Sequence, residues 1–155
     1  VGVGMAISSK MDKRENKVVV LLSDGECDEG SNWEAIMFAS HHKLNNLICI
    51  IDYNKIQSLD LVSNTLALEP FLDKWKAFGW NVLSCDGNNM ADLEKTILKA
   101  QANKGTGIPT MILMKTEMGK GISFMEGTHE WHGIAPNDAQ LADALSQLPE
   151  TLGDY

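Results

Sequence analysis

Residues 18–37 read VVVLLSDGECDEGSNWEAIM, a stretch that passes from an apolar run through an acidic cluster into a helical pattern. Val18 to Leu22 is a continuous aliphatic run, which is typical of a strand buried on both faces of a parallel sheet. Four carboxylates then fall within the six residues from Asp24 to Glu29. Ser31 is placed to cap a helix whose apolar residues keep the spacing of one buried face. The stretch therefore predicts a strand, a polar loop and a helix in succession.

This alternation of strands and helices continues along the chain. Three further apolar runs have the length of strands, at Leu47 to Ile51, Asn81 to Ser84 and Thr110 to Met114. Helical patterns surround them: one at the N-terminus, one that Gly79 ends, one after Asn89, and a last one in which Asn137 and Gln140 have capping-box spacing. The order predicts an α/β fold with a doubly wound parallel sheet, formed as one domain over residues 1–155.

Composition and charge exclude several classes of protein. The 155 residues have the length of one domain. A formal net charge of -8, without a basic stripe, argues against nucleic-acid binding. No apolar run approaches the roughly 18 residues that span a bilayer, and no secretory signal opens the sequence, so we expect no membrane association.

The cysteines and the first residues bear on the setting and extent of the protein. Cys27, Cys49 and Cys85 are odd in number and widely spaced, which predicts free thiols in a reducing, cytoplasmic setting. The sequence starts without Met, inside a pattern of glycine and alanine typical of a helix already under way. We therefore expect an upstream N-terminal segment of the protein to precede Val1.

Polar residues just beyond the first two strands predict a cation site. Asp24 follows the first strand and Asn54 follows the second. Because neighbouring parallel strands end at the same edge of a sheet, these side chains should converge. A carboxylate, an amide oxygen and a main-chain carbonyl such as that of Ile56 form half of an octahedral oxygen site, which suits Mg²⁺ or Ca²⁺ together with water and phosphate oxygens. Gly25 would let the backbone approach such a phosphate closely.

The same segments resemble a known signature. SDGECDEGSNWEA at 23–35 and NNLICIIDYNKIQ at 45–57 are similar to the thiamine diphosphate motif, in which Gly-Asp-Gly precedes an Asn that follows a hydrophobic strand. More narrowly, they resemble transketolase, and especially the N-terminal subunit of transketolases encoded as two chains. KTEMGKGISFMEGTHEWHGIAPN at 115–137 is also similar to that N-terminal subunit. The similarity extends over nearly the whole chain and implies the diphosphate-binding domain of a thiamine diphosphate enzyme.

Carried over residue by residue, the resemblance implies a metal site at Asp24, Asn54 and the Ile56 carbonyl. It places Gly25 and Glu26 near the diphosphate of the cofactor. The first glycine of the family motif is a serine here, at position 23, which adds a side chain beside the expected diphosphate.

The resemblance also implies roles for two residues outside the metal set. His132 matches a histidine that contacts cofactor and substrate, so we expect it to be a catalytic residue. Glu29 matches an acid in the network that connects the two cofactor sites across the transketolase dimer.

The implied activity is the transfer of a two-carbon ketol unit from a ketose to an aldose, with thiamine diphosphate and Mg²⁺ as cofactors. Transketolases activate the cofactor with a glutamate from a pyrimidine-binding domain, and no sequence for that domain is found here. We therefore expect a companion chain that carries it, sugar or sugar-phosphate substrates, and a hetero-oligomer built as a dimer of pairs.

Two other functions remain open at this point. A non-catalytic subunit could keep the cofactor pocket and serve assembly. A Mg²⁺-dependent phosphatase fits less well, because the sequence lacks the closely spaced pair of aspartates that this chemistry uses.

Several residues near the candidate site have plainer interpretations. His129 and His132 have the spacing of a zinc pair only in a helix, and the glycines around them favour a loop. Asp86 opens a second Asp-Gly pair, but no matching Asn follows it, so turn chemistry is expected there. Cys27 is expected to be a buried spectator thiol. Asp28 is expected to stabilise the start of the following helix by its charge.

Overall fold

The computed structural model describes residues 1–58, 60–103 and 105–148. Its helices and strands follow in the order α1 (Gly2–Met11), β1 (Val18–Ser23), α2 (Gly30–His41), β2 (Leu47–Tyr53), α3 (Val62–Thr65), α4 (Phe71–Ala77), β3 (Asn81–Asp86), α5 (Met90–Gln101), β4 (Thr110–Lys115) and α6 (Asp138–Gln147). Two short 3₁₀ turns, Gly25–Asp28 and His129–Trp131, lie in the loops. All four predicted strands are confirmed.

The four strands form one parallel sheet in the order β1-β2-β4-β3. Each strand runs one or two residues beyond its predicted end, because main-chain pairing with its neighbour continues past the apolar run. Ser23 at the end of β1 pairs with Asp52 of β2, and Asp86 at the end of β3 pairs with Lys115 of β4. The polar residues at the strand ends are therefore held by the sheet.

Helices cover both faces of this sheet, which confirms the doubly wound fold. Residues of α1, α2 and α4 form the larger core with alternate residues of β2, including Cys49 and Ile51. The other face of β2, with Ile48, packs in a smaller cluster with Ala100 of α5. This division follows from the period of two along a strand.

Aromatic rings fill the centre of the larger core. Trp75 and Phe71 of α4 are almost fully buried, and Trp75 makes an edge contact with Trp80 at a centroid distance of 5.0 Å. Trp33 of α2 packs against both α4 rings, so it joins α2 to α4 above the sheet.

Helix starts agree with the sequence in two cases and differ in one. Asn89 caps α5 by accepting hydrogen bonds from the backbone N–H groups of Ala91 and Asp92, and the capping box at the start of α6 is present. The prediction that Ser31 caps α2 is wrong, since α2 begins at Gly30 with Glu29 as its N-cap and no side-chain capping bond. A 3₁₀ turn ends at Asp28, just before α2, and the helix begins earlier than the residue types indicate.

Among the described residues, no helix combines the length and the apolar character that crossing a bilayer requires.

Replacement of Asn89 by alanine should destabilise the chain by about 1 kcal/mol, because two N–H groups at the start of α5 lose their acceptor. Chemical denaturation of the variant and of the wild-type chain measures this change. Asn89→Asp keeps an acceptor at the cap and is the matched control, so it should stay near wild type. Equal free energies of unfolding for Asn89→Ala and wild type would contradict the assigned cap.

Candidate functional site

The carboxyl ends of β1 and β2 lie side by side and bring Asp24 to the loop that carries Asn54 and Ile56. Ser23 pairs with Asp52, and the backbone N–H of Asp24 donates to the Asp52 carbonyl at 3.1 Å. Asp24 thus stands beside the first residues of the loop that follows β2. Its predicted neighbour Asn54 is in that loop, directly after the last residue of β2.

The carboxylate of Asp24 joins the two loops. Its Oδ1 accepts from the backbone N–H of Gly25 at 2.8 Å, and its Oδ2 accepts from the backbone N–H of Lys55 at 2.7 Å. The side chain is only 1% exposed. Lys55 lies between Asn54 and Ile56 in the sequence, so this hydrogen bond holds the carboxylate against the segment that carries both other predicted ligands.

The surroundings of Asp24 are short of positive charge. Burial raises the pKa of the Asp24 carboxyl, hydrogen bonds from Lys55 and Gly25 lower it, and the nearby carboxylates Asp52 and Asp28 raise it again, with a net shift upward. Within the described ranges no lysine or arginine forms an ion pair with Asp24. A buried carboxylate with peptide donors and acidic neighbours suits a bound cation.

The loop after β2 is folded tightly on itself. Asn54 Oδ1 accepts from the backbone N–H of Ile56 at 2.8 Å. Lys55 has a positive φ of 66°, a conformation that costs a residue with a side chain about 1–2 kcal/mol. Ile56 forms an antiparallel bridge with Leu61, and no described residue donates a hydrogen bond to its carbonyl. That carbonyl therefore keeps its lone pairs for a ligand.

A cavity of about 660 Å³ opens at the carboxyl ends of β2 and β4. Asn54 and Ile56 contribute to its wall, together with Thr116 and Met118 beyond β4. Two lysines, Lys55 and Lys115, and two glutamates, Glu69 and Glu117, also line it, so its wall carries charges of both signs. Such a crevice outside the carboxyl ends of parallel strands is where open α/β sheets bind their ligands.

One wall of the cavity is held by a buried tyrosine. Tyr53 donates a short hydrogen bond to Glu69, and the Glu69 carboxylate also accepts from the backbone N–H of Phe71. These bonds lower the pKa of Glu69, while burial, followed by the bond to Glu69, raises the pKa of Tyr53. Tyr53 therefore stays protonated and ties the end of β2 to the start of α4.

Ser23, the departure from the family motif, forms a capping box with Glu26. The Glu26 carboxylate accepts from the Ser23 backbone N–H at 2.8 Å and contacts its hydroxyl at 3.2 Å, while the Ser23 Oγ accepts from the Glu26 backbone N–H at 3.2 Å. The S-x-x-E pattern could have predicted this pair. Glu26 is thus turned toward Ser23, and its place beside a diphosphate stays a prediction.

Gln57 is a site residue that the sequence did not single out. Its Nε2 donates to Asp28 Oδ2 at 2.7 Å. Its Cγ lies 3.3 Å from the position that a Cβ on Gly25 would take, so a side chain at Gly25 would crowd it. Asp28 is therefore bonded within the site, and its effect as a charge before α2 stays a prediction. Gln57 lies in the quoted segment NNLICIIDYNKIQ, three residues after Asn54, which is the only signal that pointed to it.

His132 lies in the loop after β4, directly after the turn His129–Trp131, with an exposed side chain. In the part of the chain that the structure describes, its side chain makes no hydrogen bond to Asp24, Asn54 or Ile56, so its catalytic role stays a prediction. The described residues also contain no group of three His, Cys, Asp or Glu side chains able to hold a metal.

Cys27 is fully buried, and its thiol contacts the Ser23 carbonyl. Burial, with the nearby carboxylates Asp24, Glu26 and Asp28, raises the pKa of the thiol to about 12. The thiolate is therefore negligible near neutral pH, as expected of a spectator.

Comparison with known proteins agrees with this geometry. A family model described as the thiamine diphosphate binding domain of transketolase matches residues 6–151. One subunit of the apulose-4-phosphate transketolase of Phocaeicola vulgatus is 40% identical over 153 residues, which cover 98% of this chain and 53% of that protein. SqwG of a Clostridium species, named as part of a 6-deoxy-6-sulfo-D-fructose transketolase, is 41% identical over 146 residues, covering 94% of this chain and 52% of that protein.

Solved structures give the same result. Transketolase from Campylobacter jejuni superposes with a TM-score of 0.77 at 30% identity, over 83% of this chain and 21% of that one. The chain spans about half the length of the curated relatives named above. Both the sequence match and the shared fold lead to one conclusion: the chain belongs to the transketolase family, within its thiamine diphosphate-binding domain.

Proposed function

We propose that this chain binds the diphosphate of thiamine diphosphate through a divalent cation held by Asp24, Asn54 and the Ile56 carbonyl. The observation that carries the proposal is the hydrogen bond from the Lys55 N–H to Asp24 Oδ2, because Lys55 stands between the other two ligands. Buried Asp24 has no cationic partner among the described residues, and the Ile56 carbonyl has no described donor. The residues present therefore fit a cation.

All three donors are oxygens, which favours a hard cation. Three protein ligands leave half of an octahedral shell for diphosphate oxygens and water, the arrangement in which Mg²⁺ is commonly bound. Ca²⁺ would accept the same donors at longer distances. We propose Mg²⁺ as the resident ion and Ca²⁺ as a substitute.

Other residues of this chain would support the cofactor. Gly25 and Glu26 follow Asp24 and are proposed to lie near the diphosphate. Lys55 and Lys115 line the adjoining cavity and are proposed to bring their positive charge to it.

The proposed reaction is the transfer of a two-carbon ketol unit from a ketose to an aldose. When bound, the cofactor supplies the carbon nucleophile and the electron sink that this chemistry needs. The chain's own task is to anchor and orient it. His132 is proposed to hydrogen-bond substrate oxygens and to exchange protons with them, and its exposed side chain is free to meet a ligand.

We propose that a companion chain with the pyrimidine-binding domain completes the active site. The two similar proteins from Phocaeicola vulgatus and the Clostridium species are both named as subunits of a transketolase, and such names imply a further chain. The proposed assembly is a dimer of such pairs, acting on sugars or sugar phosphates, with residues 1–155 as the diphosphate-binding domain. The three buried free thiols are consistent with a cytoplasmic setting.

Alanine at Asp24 or at Asn54 should weaken Mg²⁺-dependent binding of thiamine diphosphate by more than about 10-fold, because each variant removes a proposed ligand. Isothermal titration into the chain plus its companion measures the affinity, with and without EDTA. Asn54→Ala is included because Asp24 is buried and its replacement could disturb folding, which circular dichroism would show.

Asp86→Ala is the matched control for these variants. Asp86 opens the same Asp-Gly pair at the end of another strand of the sheet, but its carboxylate accepts from the backbone N–H of Asn88 in its own loop. It should leave the affinity unchanged. Binding that is indifferent to EDTA, or to Asn54→Ala, would contradict the proposed cation site.

His132→Ala should lower the rate of ketol transfer by about 10²–10⁴-fold while the cofactor affinity changes far less, because the residue is assigned to proton exchange rather than to the anchor. A coupled assay of ketol transfer with the assembled pair measures this. His41→Ala, at the exposed end of α2, is the control and should retain full activity. If the wild-type pair binds the cofactor but transfers no ketol unit, the chain serves assembly without catalysis instead.

A further inference from the structure

Two loops carry all the proposed cation ligands. The first loop, residues 24–29, follows β1 and contains Asp24. The second loop, residues 54–57, follows β2 and contains Asn54 and Ile56. The site therefore depends on how these two loops are held against each other.

Two side-chain hydrogen bonds connect the loops in the described part of the chain. One is the bond from the Lys55 N–H to Asp24, which involves a ligand itself. The other is the bond of 2.7 Å from Gln57 Nε2 to Asp28 Oδ2, which involves no proposed ligand. We call this second bond, between Gln57 and Asp28, the clasp.

The clasp is strong for a bond between two side chains. The acceptor is a carboxylate, and charge-assisted hydrogen bonds are about twice as strong as neutral ones. The other oxygen, Asp28 Oδ1, is buried and has no partner among the described residues. Within that part of the chain the Gln57 amide is thus the one hydrogen-bond donor to this carboxylate, so losing it would leave a half-buried charge without a donor.

The Gln57 side chain also lies beside the start of the first loop. Its Cγ and Cδ lie 3.3 Å and 3.5 Å from the position that a Cβ on Gly25 would take, so Gln57 limits the space over this glycine. Gln57 is therefore bonded to the first loop at Asp28 and lies close to it at Gly25. A shift of Gln57 would be transmitted to Asp24 through Gly25, whose N–H is bonded to the Asp24 carboxylate.

We propose that Gln57 is a positioning residue, which sets the distance between Asp24 and the Asn54–Ile56 segment by clasping Asp28. This inference rests on the proposed cation and diphosphate site. Removal of a residue that orients a metal ligand without binding the metal itself typically lowers metal affinity by about 10–100-fold. Gln57 is half-buried and outside both core clusters, so its main effect is on the loops and not on the fold.

Gln57→Leu tests the clasp, because leucine has a similar size but no donor. We expect Mg²⁺-dependent thiamine diphosphate binding by the chain with its companion to weaken about 10–100-fold in isothermal titration. Hydrogen exchange of the Lys55 amide, measured without cofactor, should become faster, since its acceptor Asp24 is less well held. Gln101→Leu, the same change on the exposed surface of α5, is the control and should alter neither readout.

Exchanging the amide at position 57 and the carboxylate at position 28 tests whether the cofactor affinity can be rescued. Gln57→Glu should weaken binding, because it places a carboxylate against Asp28. Gln57→Glu combined with Asp28→Asn restores one amide facing one carboxylate, with the net charge of the wild type, and should recover most of the affinity. A purely structural loss at position 57 would show no such recovery.

The outcomes separate the clasp from the function on which it rests. Wild-type binding that needs Mg²⁺, together with an unchanged affinity of Gln57→Leu, overturns the clasp and leaves the proposed function intact. A double variant that binds no more tightly than Gln57→Glu also overturns the clasp. Absence of Mg²⁺-dependent binding by the wild-type pair overturns the proposed function, and the clasp with it.

Discussion

Parallel pairing of β1 with β2 is the constraint on which the site depends. Because Ser23 is held opposite Asp52, Asp24 meets the loop after β2 at Lys55, and the hydrogen bond to the Lys55 N–H follows. A slip of one residue in this register would turn the side chains of β1 to the opposite face and remove Asp24 from the second loop. The larger core fixes the register by burying one face of β1 against α1 and α2. Core packing and the position of Asp24 against the second loop are thus two results of the same strand pairing.

Because of the negative charge at the carboxyl end of β1, a bound cation would affect the stability of the fold as well as the binding of the cofactor. The pKa of Asp24 is raised above its value in an unfolded chain, so ionisation of this group near neutral pH works against the folded state. A bound divalent cation would favour the ionised carboxylate and offset that cost. Neighbouring Asp52 and Asp28 add to the negative potential. Cofactor loading and stability of the two loops should therefore be linked.

The acidic residues after β1 are not a uniform cluster. Glu26 forms a capping box with Ser23, and Asp28 accepts a hydrogen bond from Gln57. Asp24 accepts hydrogen bonds from two backbone N–H groups. This distribution accommodates a serine where the family motif has glycine, since its hydroxyl accepts from the Glu26 N–H and contacts the Glu26 carboxylate. Of the four acidic residues after β1, Asp24 is the one that is fully buried.

The sequence alone determined the features that depend on local pattern. Apolar runs marked all four strands, and Asn89 and Asn137 marked helix starts. The positions of Asp24 and Asn54 after consecutive strands predicted that Asp24 would lie against the loop after β2, where the Lys55 N–H donates to it, while the convergence of the two side chains stays a prediction. Only the tertiary structure decided that β4 lies between β2 and β3, that α2 begins before Ser31, and that Gln57 reaches Asp28. Hydrophobic periodicity and capping act between residues close in the chain, so they can be read from it. Strand order and the contact between Gln57 and Asp28 join residues about 30 to 60 positions apart, and they arise only when the whole sheet and its loops pack together.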